Sequence, residues 1–433
     1  MAIIRVKLKQ WTPLLHFQAD QSGACLRATE VKPKLDRFVA QFLEGQGIEM
    51  PKAWKLDAPE GRHHIPLKYK LRLMGSGVST SVHHPLYFGK DAEVKAMTYA
   101  DGITLTILPM TTARLEKVVA LHAQQSLANP TLGELIRELL PPFFALHCFG
   151  ARSGKGFGSF DVEDTAPLSD EALHYYAPKD CAAMYRLITT RDCLNEIYIL
   201  SAMMKGGFNS PYYKGSIQKT LWDHGMGSDK AFVKQMIFRN ATRPNGELLY
   251  DWYISTTKAH TSEPDYREYT GYRYLRAMLG LAGNYIYRKR IPGNNHGESE
   301  IINVSVEPLK SKYKGQIQRF ANPVRFKPCQ GGFRILVYQI PRVLRTSTFV
   351  FKYKMQRDKS YRIKMPSEEE LNLVAFVNDF LSPLKPENKD LGKDFTEEAF
   401  IYINGSKITL KDDLNGLDIA STWTRESEGR HDA

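Results

Sequence analysis

The chain has 433 residues, too many for one ordinary core and enough for two domains. Its 42% hydrophobic and 24% charged residues describe a globular protein, and no run approaches the ~20 apolar residues of a membrane span. Lys and Arg (59) exceed Asp and Glu (47), a net charge of +12 that fits a polyanion, an acidic protein or a membrane surface. Aromatic residues interleaved with the basic ones favour nucleic acid among these. The five cysteines, at 25, 148, 181, 193 and 329, are odd in number and form no Cys-x-x-Cys pair, which argues against a disulfide framework and a zinc knuckle. Met1-Ala2-Ile3-Ile4-Arg5 lacks the apolar core of a signal peptide, so a cytoplasmic location is expected.

Ile4, Val6 and Leu8 alternate with Arg5, Lys7 and Lys9 as in a strand that ends at Trp11-Thr12-Pro13. After a short polar loop, Val31, Leu35, Phe38, Val39 and Phe42 recur at helical spacing, with Thr29 as the expected N-cap and Pro33 in the first turn. Residues 44 to 90 read as irregular; the pairs His63-His64 and His83-His84 lack metal-ligand spacing and read as surface residues. Asp101-Gly102 predicts a hairpin between strands at 95–99 and 103–107. Thr111 to Leu127 reads as a helix, and Thr131 to Leu140 as a second, ended by Pro141-Pro142. This order is compatible with a β-α-β-β-α-β ferredoxin-like unit, a scaffold also used by RNA-recognition domains.

Next comes Phe149-Gly150-Ala151-Arg152-Ser153-Gly154-Lys155-Gly156-Phe157-Gly158-Ser159-Phe160. Glycines at 154, 156 and 158 allow positive φ and close backbone approach, while Arg152 and Lys155 place cations at the turn, the chemistry of a phosphate grip. A Walker A loop is excluded, because three residues rather than four precede Gly154-Lys155 and Gly156 stands where a hydroxyl is needed. The dinucleotide fingerprint is excluded too, because the run leads into the strand-like Ser159-Phe160-Asp161-Val162 and not a helix. A longer polyanion suits such a loop; a plain hairpin turn with two exposed cations is the competing reading.

Prolines and acids between Asp164 and Pro178 mark a boundary. Beyond it, Ala182 to Ile188 reads as a strand and Asn195 to Met204 as a helix. Lys205-Gly206-Gly207-Phe208 and Tyr212-Tyr213-Lys214-Gly215 combine cations, glycines and aromatics that can hold phosphate and stack bases, or simply join core elements. Tyr272 to Leu281 reads as a helix. Arg342 to Lys364 carries eight Lys or Arg against Asp358, with Phe349, Phe351 and Tyr353 alternating with Lys352 and Lys354, as a sheet edge along RNA would require and as many exposed strands also show.

The glycine loop is similar to that of the RAMP superfamily, the ferredoxin-like subunits of CRISPR effector complexes, in which a leucine-rich helix runs into Gly-x-Arg-Ser-x-x-Gly-Phe-Gly-Ser. Gly150, Arg152, Ser153, Gly156, Phe157, Gly158 and Ser159 stand at the matching positions. The N-terminal Thr-Pro and the segment with Arg27, Thr29, Val31 and Lys32 resemble the superfamily's opening, with Pro33 where a glycine is usual. Ala321-Asn322-Pro323-Val324-Arg325-Phe326-Lys327-Pro328 is similar to a Ser-Pro-(apolar)-x-Phe-Lys-Pro stretch of the first Cmr subunit of type III-B complexes, with Asn322 replacing the serine.

The resemblance implies an α+β chain of two ferredoxin-like (RRM-like) β-α-β-β-α-β domains with insertions. Residues 1–168 form the first, bearing loop 149–160, and 175–384 the second, with helical insertions; 385–433 is expected to be a small C-terminal appendage or flexible tail. It implies CRISPR guide RNA, target RNA and other Cmr-type subunits as partners, with no cofactor and no membrane. The expected RNA-binding residues are Arg152, Ser153, Gly154, Lys155 and Gly156 of the loop, Arg27, Lys32, Lys34 and Arg37 at the first helix, and Lys205 and Lys214. Catalytic and metal-binding residues are expected to be absent. The alternative, a RAMP-fold endoribonuclease cutting guide precursor or target RNA, would use Asp20 with a metal ion or His16 as a base.

Overall fold

The computed structural model describes residues 2–15, 25–57, 66–81, 97–206, 226–228, 232–243, 245–249, 251, 271–280, 284–288, 299–306, 321–353, 355, 359–382, 400–403, 406–409 and 417–425. It is a mixed α/β structure with several sheets.

The N-terminal part runs β1 (Ile4–Gln10), β2 (Leu14–Leu15), α1 (Ala28–Gly45), β3 (Tyr69–Ser81), β4 (Met97–Pro109), β5 (Val118–Ala120), β6 (Ser126–Ala128), α2 (Leu132–Leu146) and β7 (Phe160–Val162). Its main sheet has the antiparallel order β3-β4-β1-β7, with β2 paired to one end of β4. Ile4, Leu8, Ile103, Leu105 and Ile107 point to one face, where Val31, Leu35 and Phe38 of α1 and Leu135, Leu139 and Phe143 of α2 cover them. Each of these side chains is withdrawn from water, about 1.5–3 kcal/mol of burial apiece. Alternation sends Arg5, Lys7 and Lys9 to the other face, which is open to solvent.

The C-terminal part continues with α3 (Asp170–Tyr176), β8 (Cys181–Ile188), α4 (Cys193–Gly206), β9 (Met226–Ser228), β10 (Gly271–Arg273), β11 (Asn284–Arg288), β12 (Ser299–Val306), β13 (Val324–Cys329), β14 (Gly332–Tyr338), α5 (Arg342–Arg345), β15 (Thr348–Tyr353), β16 (Tyr361–Lys364), α6 (Leu373–Leu381), β17 (Phe400–Ile403), β18 (Ser406–Thr409) and β19 (Asp418–Thr424). A second antiparallel sheet has the order β13-β14-β8-β19, and a third the order β11-β12-β15-β16-β10-β9. The second sheet is covered on both faces. Ala183, Tyr185, Leu187, Ile335 and Val337 join the C-terminal core with α4 and α6, whereas Met184, Leu336 and Tyr338 belong to the N-terminal core. All seven residues of β14 are therefore buried.

Several local expectations change. The helix α1 starts at Ala28 with Arg27 as N-cap, so Thr29 is inside the helix and Pro33 lies beyond the first turn. Residues 44–90 contain the long strand β3. Asp101-Gly102 is no turn: β4 runs straight through it, Gly77 lies opposite Asp101 with φ +57, and a Cβ on Gly77 would meet the Asp101 carboxylate 1.9 Å away. The segment 111–127 holds the hairpin β5–β6 in place of a helix. α2 continues through Pro141 and Pro142 to Leu146. The carbonyls those prolines leave unpaired belong to Arg137 and Glu138 on the exposed side, while Phe143, Phe144 and Leu146 gain burial. The helix expected from Tyr272 is replaced by β10 and a short 3-10 turn, Arg276–Leu279; Leu281 lies outside the described residues. β15 buries Phe349, Phe351 and Tyr353 and exposes Lys352, but it lies between β12 and β16, not at an edge. The tail returns β19 to pair with β8 along the second sheet, so this part of 385–433 is not an appendage.

Candidate nucleic-acid interface

The glycine loop leaves α2 and returns to β7, and an aromatic cluster fixes both stems. Phe149 packs 5.8 Å from Phe143, 5.6 Å from Phe144 and 6.1 Å from Phe160, centroid to centroid. Within the loop, Phe149 N–H donates to the Gly158 carbonyl at 2.9 Å. Gly158 itself has φ +65, and a Cβ there would lie 2.1 Å from the Phe149 carbonyl oxygen. The Trp11-Thr12-Pro13 corner holds the far side. Thr12 Oγ1 donates to the Gly156 carbonyl at 2.6 Å and accepts from Ser159 N–H at 3.0 Å, and Gly158 N–H donates to the Pro13 carbonyl.

β13 closes the loop from the second sheet. Phe326 N–H donates to the Gly154 carbonyl at 3.1 Å, and Lys155 bridges to Phe326. Lys327, with its side chain only 1% exposed, donates to Ser159 Oγ at 2.5 Å and to the Phe160 carbonyl at 2.9 Å, and lies 3.5 Å from Asp161. Ser159 Oγ in turn donates to the Pro328 carbonyl at 2.6 Å. The loop and the Phe-Lys-Pro stretch are thus two halves of one inter-sheet clamp.

The expected site residues fall into three groups. Arg152, Ser153, Gly154 and Lys155 sit half-buried on the loop, with Gly156 buried beneath them. Arg152 has φ +56, a left-handed conformation unusual for a side-chain-bearing residue, and burial lowers its pKa against the opposing influence of Tyr198. Lys32 and Lys34, expected at the RNA surface, are instead occupied within the protein. Lys32 donates to Asp36 at 2.9 Å and to the Leu67 carbonyl at 2.9 Å, and stands 3.8 Å from the Tyr69 ring centroid. Asp36 is 1% exposed, so its carboxylate requires that partner. Lys34 donates to the Cys148 carbonyl at 2.6 Å and lies over the Phe149 ring. Arg27 is half-buried beside the start of α1 and Arg37 is exposed on it. Lys205 is in the last turn of α4; its side chain, together with Lys214, His16, Asp20 and the paired histidines, lies outside the described residues.

Arg325 is the residue sequence reasoning left unassigned. Its guanidinium stacks 4.3 Å from the Tyr338 ring, and its stem passes Gly154. Arg325 and Arg37 lie close enough to act on Lys34: burial lowers the Lys34 pKa, Cys148 and Glu30 oppose the shift, and Arg325 and Arg37 add to it. The same positive field reaches inward. Burial pushes His147 down to about 3, its Nδ1 donating to the Phe143 carbonyl opposes this, and Lys34, Arg325 and Lys327 deepen it. Arg325 and Lys327 carried a signal in the sequence, two cations on alternate positions of a strand beside Pro323 and Pro328, but alternation alone does not tell which sheet they face.

The five cysteines are free. Among the described residues no three His, Cys, Asp or Glu side chains are grouped to hold a metal ion, and no helix is long and apolar enough to cross a membrane.

The glycine loop and the Phe-Lys-Pro stretch, two of the segments that carry the sequence resemblance, meet in this clamp, and comparison with family models gives the family. Residues 1–208 match the Cmr1 N-terminal domain and residues 211–399 the Cmr1 C-terminal domain. The chain belongs to the Cmr1 family, subunits of type III-B CRISPR complexes. No curated protein and no solved structure matches it.

Proposed function

We propose that this chain is a non-catalytic RNA-binding subunit of its Cmr-type complex, working in the cytoplasm and holding the 3′ region of the guide RNA, or its duplex with target, at one end of the assembly. The observation that carries the reading is Arg325, laid along Gly154 of the glycine loop and over Tyr338, with Lys34 over Phe149 at the loop's stem and Arg37 near enough to act on Lys34; among the described residues Glu30 opposes that field. Arg152, held in a strained backbone conformation on the same loop, is a further phosphate contact in this reading. Lys32 has no part in this account, because Asp36 holds it.

In this reading both halves are ferredoxin-like β-α-β-β-α-β domains. The orders β3-β4-β1-β7 and β13-β14-β8-β19 support it, since each places the first strand of its unit between the third and the fourth. The third sheet is then an insertion into the second domain.

The experiment is a titration of labelled guide RNA with the wild-type chain and with a triple variant, Arg37→Ala, Arg152→Ala, Arg325→Ala. Phosphate contacts predict weaker binding that is uniform across sequences, and a shallower dependence of log affinity on log salt, by about 0.7 per lost contact on a single strand. Unchanged affinity and slope in the triple variant refute the reading.

A further inference from the structure

The two main sheets differ in one respect that the glycine loop does not account for. The second sheet is covered on both faces, whereas the outer face of the first is exposed and cationic among the described residues. Arg5, Lys7 and Lys9 of β1 and Lys70 and Arg72 of β3 are all exposed on it. The register puts them in rows across the sheet: Arg72 and Arg5 flank Thr106, and Met74 and Lys7 flank Thr104.

Successive cations along β1 are about 7 Å apart, two residues of strand rise. Among the described residues Arg5, Lys7, Lys70 and Arg72 form no ion pair. Lys9 rests 4.4 Å from the Trp11 ring centroid. The acids on this side lie at the β7 edge. Asp161, opposite Lys9, is engaged by Trp11 Nε1 at 2.6 Å and by Lys327, and Glu163 beyond it is exposed.

An uncompensated array of this kind raises the local potential and fits a polyanion. The strands of β1, β3 and β4 present no outward Phe, Tyr or Trp between Arg5 and Lys9, Lys70 and Met74, or Thr104 and Leu108, so stacking of bases, the usual contact of a single-strand platform, has no partner there. What remains is charge, the Thr104 and Thr106 hydroxyls and the exposed aliphatic side chains of Met74 and Leu108, a set suited to phosphates and not to stacked bases. The β1 row also leads toward the first site: Trp11 N–H donates to the Ser159 carbonyl at the foot of the glycine loop.

We propose that the open face of the N-terminal sheet is a sequence-independent track for an RNA backbone, running along β1 to the glycine loop. It extends the RNA-binding reading above and rests on it for the identity of the polyanion. RNA crossing here is held by its phosphates while its bases stay free.

The test compares four full-length proteins on labelled oligouridylate and oligoadenylate over a salt series. They are the wild type, the sheet-face variant Arg5→Gln, Lys7→Gln, Arg72→Gln, the loop-side triple alanine variant, and a charge-matched control, Lys52→Gln, Lys117→Gln, Lys352→Gln, at exposed sites elsewhere. The sheet-face variant is expected to lose about 2 from the slope of log affinity on log salt, alike on both oligonucleotides, with the control close to wild type. All three sheet-face positions are exposed, so an unaltered thermal melt is expected and certifies folding. Wild-type affinity and slope in the sheet-face variant, with the loop-side variant impaired, overturn the track and leave the RNA-binding function intact. An equal loss in the control reduces the effect to net charge and overturns it as well. Wild-type RNA binding combined with loss of a copurifying subunit assigns the face to an acidic protein instead. No RNA binding by the wild type, free or in its complex, removes both readings.

Discussion

Replacing Lys327 by methionine keeps the length of the side chain and removes its charge. The ammonium is 1% exposed and donates to Ser159 Oγ and to the Phe160 carbonyl. Hydrogen bonds to a charged group contribute about 1.5–3 kcal/mol each, and a buried acceptor left without a donor is costly in itself. Asp161 adds to the loss: its Oδ1, 3.5 Å from the ammonium, is buried without a hydrogen-bond donor among the described residues, although its Oδ2 keeps Trp11 as a partner. Ser159 Oγ keeps the Pro328 carbonyl, and the methionine buries its own apolar surface, so the sum is reduced and we expect a loss of about 2–4 kcal/mol. Because the lysine comes from β13 and its acceptors from the loop and β7, the loss should also weaken coupling between the two sheets. Urea unfolding followed in parallel by tryptophan fluorescence and circular dichroism reads both effects, with a lower midpoint and transitions that no longer coincide. A variant within about 0.5 kcal/mol of wild type, with coincident transitions, would refute the clamp.

His147 is neutral when folded, its pKa pushed down to about 3 against about 6.5 unfolded, so the unfolded chain binds more protons between those values. Its contribution is complete above pH 6.5 and is lost as the pH falls toward 3. His147→Leu should flatten stability over that window by up to about 1.4 kcal/mol per pH unit, less because part of the residue remains open to water; an unchanged pH profile contradicts it. Gly158→Ala forces a Cβ against the Phe149 carbonyl at positive φ and should prevent accumulation of folded protein, whereas Gly154→Ala, whose Cβ meets nothing nearer than 3.9 Å, should leave the melting temperature within a few degrees of wild type. Equal behaviour of the two variants refutes the packing account of the loop. Thr131→Ala removes the capping box with Glu134 at the start of α2 and should cost about 1 kcal/mol in urea unfolding; no change means the cap is not needed.

How much of this was legible in the sequence follows from range. Strand alternation in β1 and β15, the periodicity of α1 and the helix start at Thr131 are local and read correctly, whereas the Thr29 cap did not hold, since α1 begins at Ala28 behind Arg27. The Pro141-Pro142 stop failed because the burial of Phe143, Phe144 and Leu146 outweighs two lost helical bonds, and the Asp101-Gly102 turn failed because the glycine that adapts lies on the partner strand, at Gly77. The glycine loop was recognisable by its residues, but the reason for Gly158 is the Phe149 carbonyl. The division of labour among cations was not legible either. Lys32 and Lys34 look like surface lysines until Asp36 and the Cys148 carbonyl are placed beside them, and Arg325 becomes part of the site only when β13 is laid against the loop.

The central claim is that this subunit touches the guide RNA through the loop-side cations. Ultraviolet crosslinking of the complex assembled from this chain and its partner subunits around a guide RNA, followed by mass spectrometry, tests it most directly. The account predicts RNA adducts on peptides containing Arg37, Arg152 to Lys155 and Arg325. Adducts confined to other subunits, with this chain present and unmarked, would contradict it.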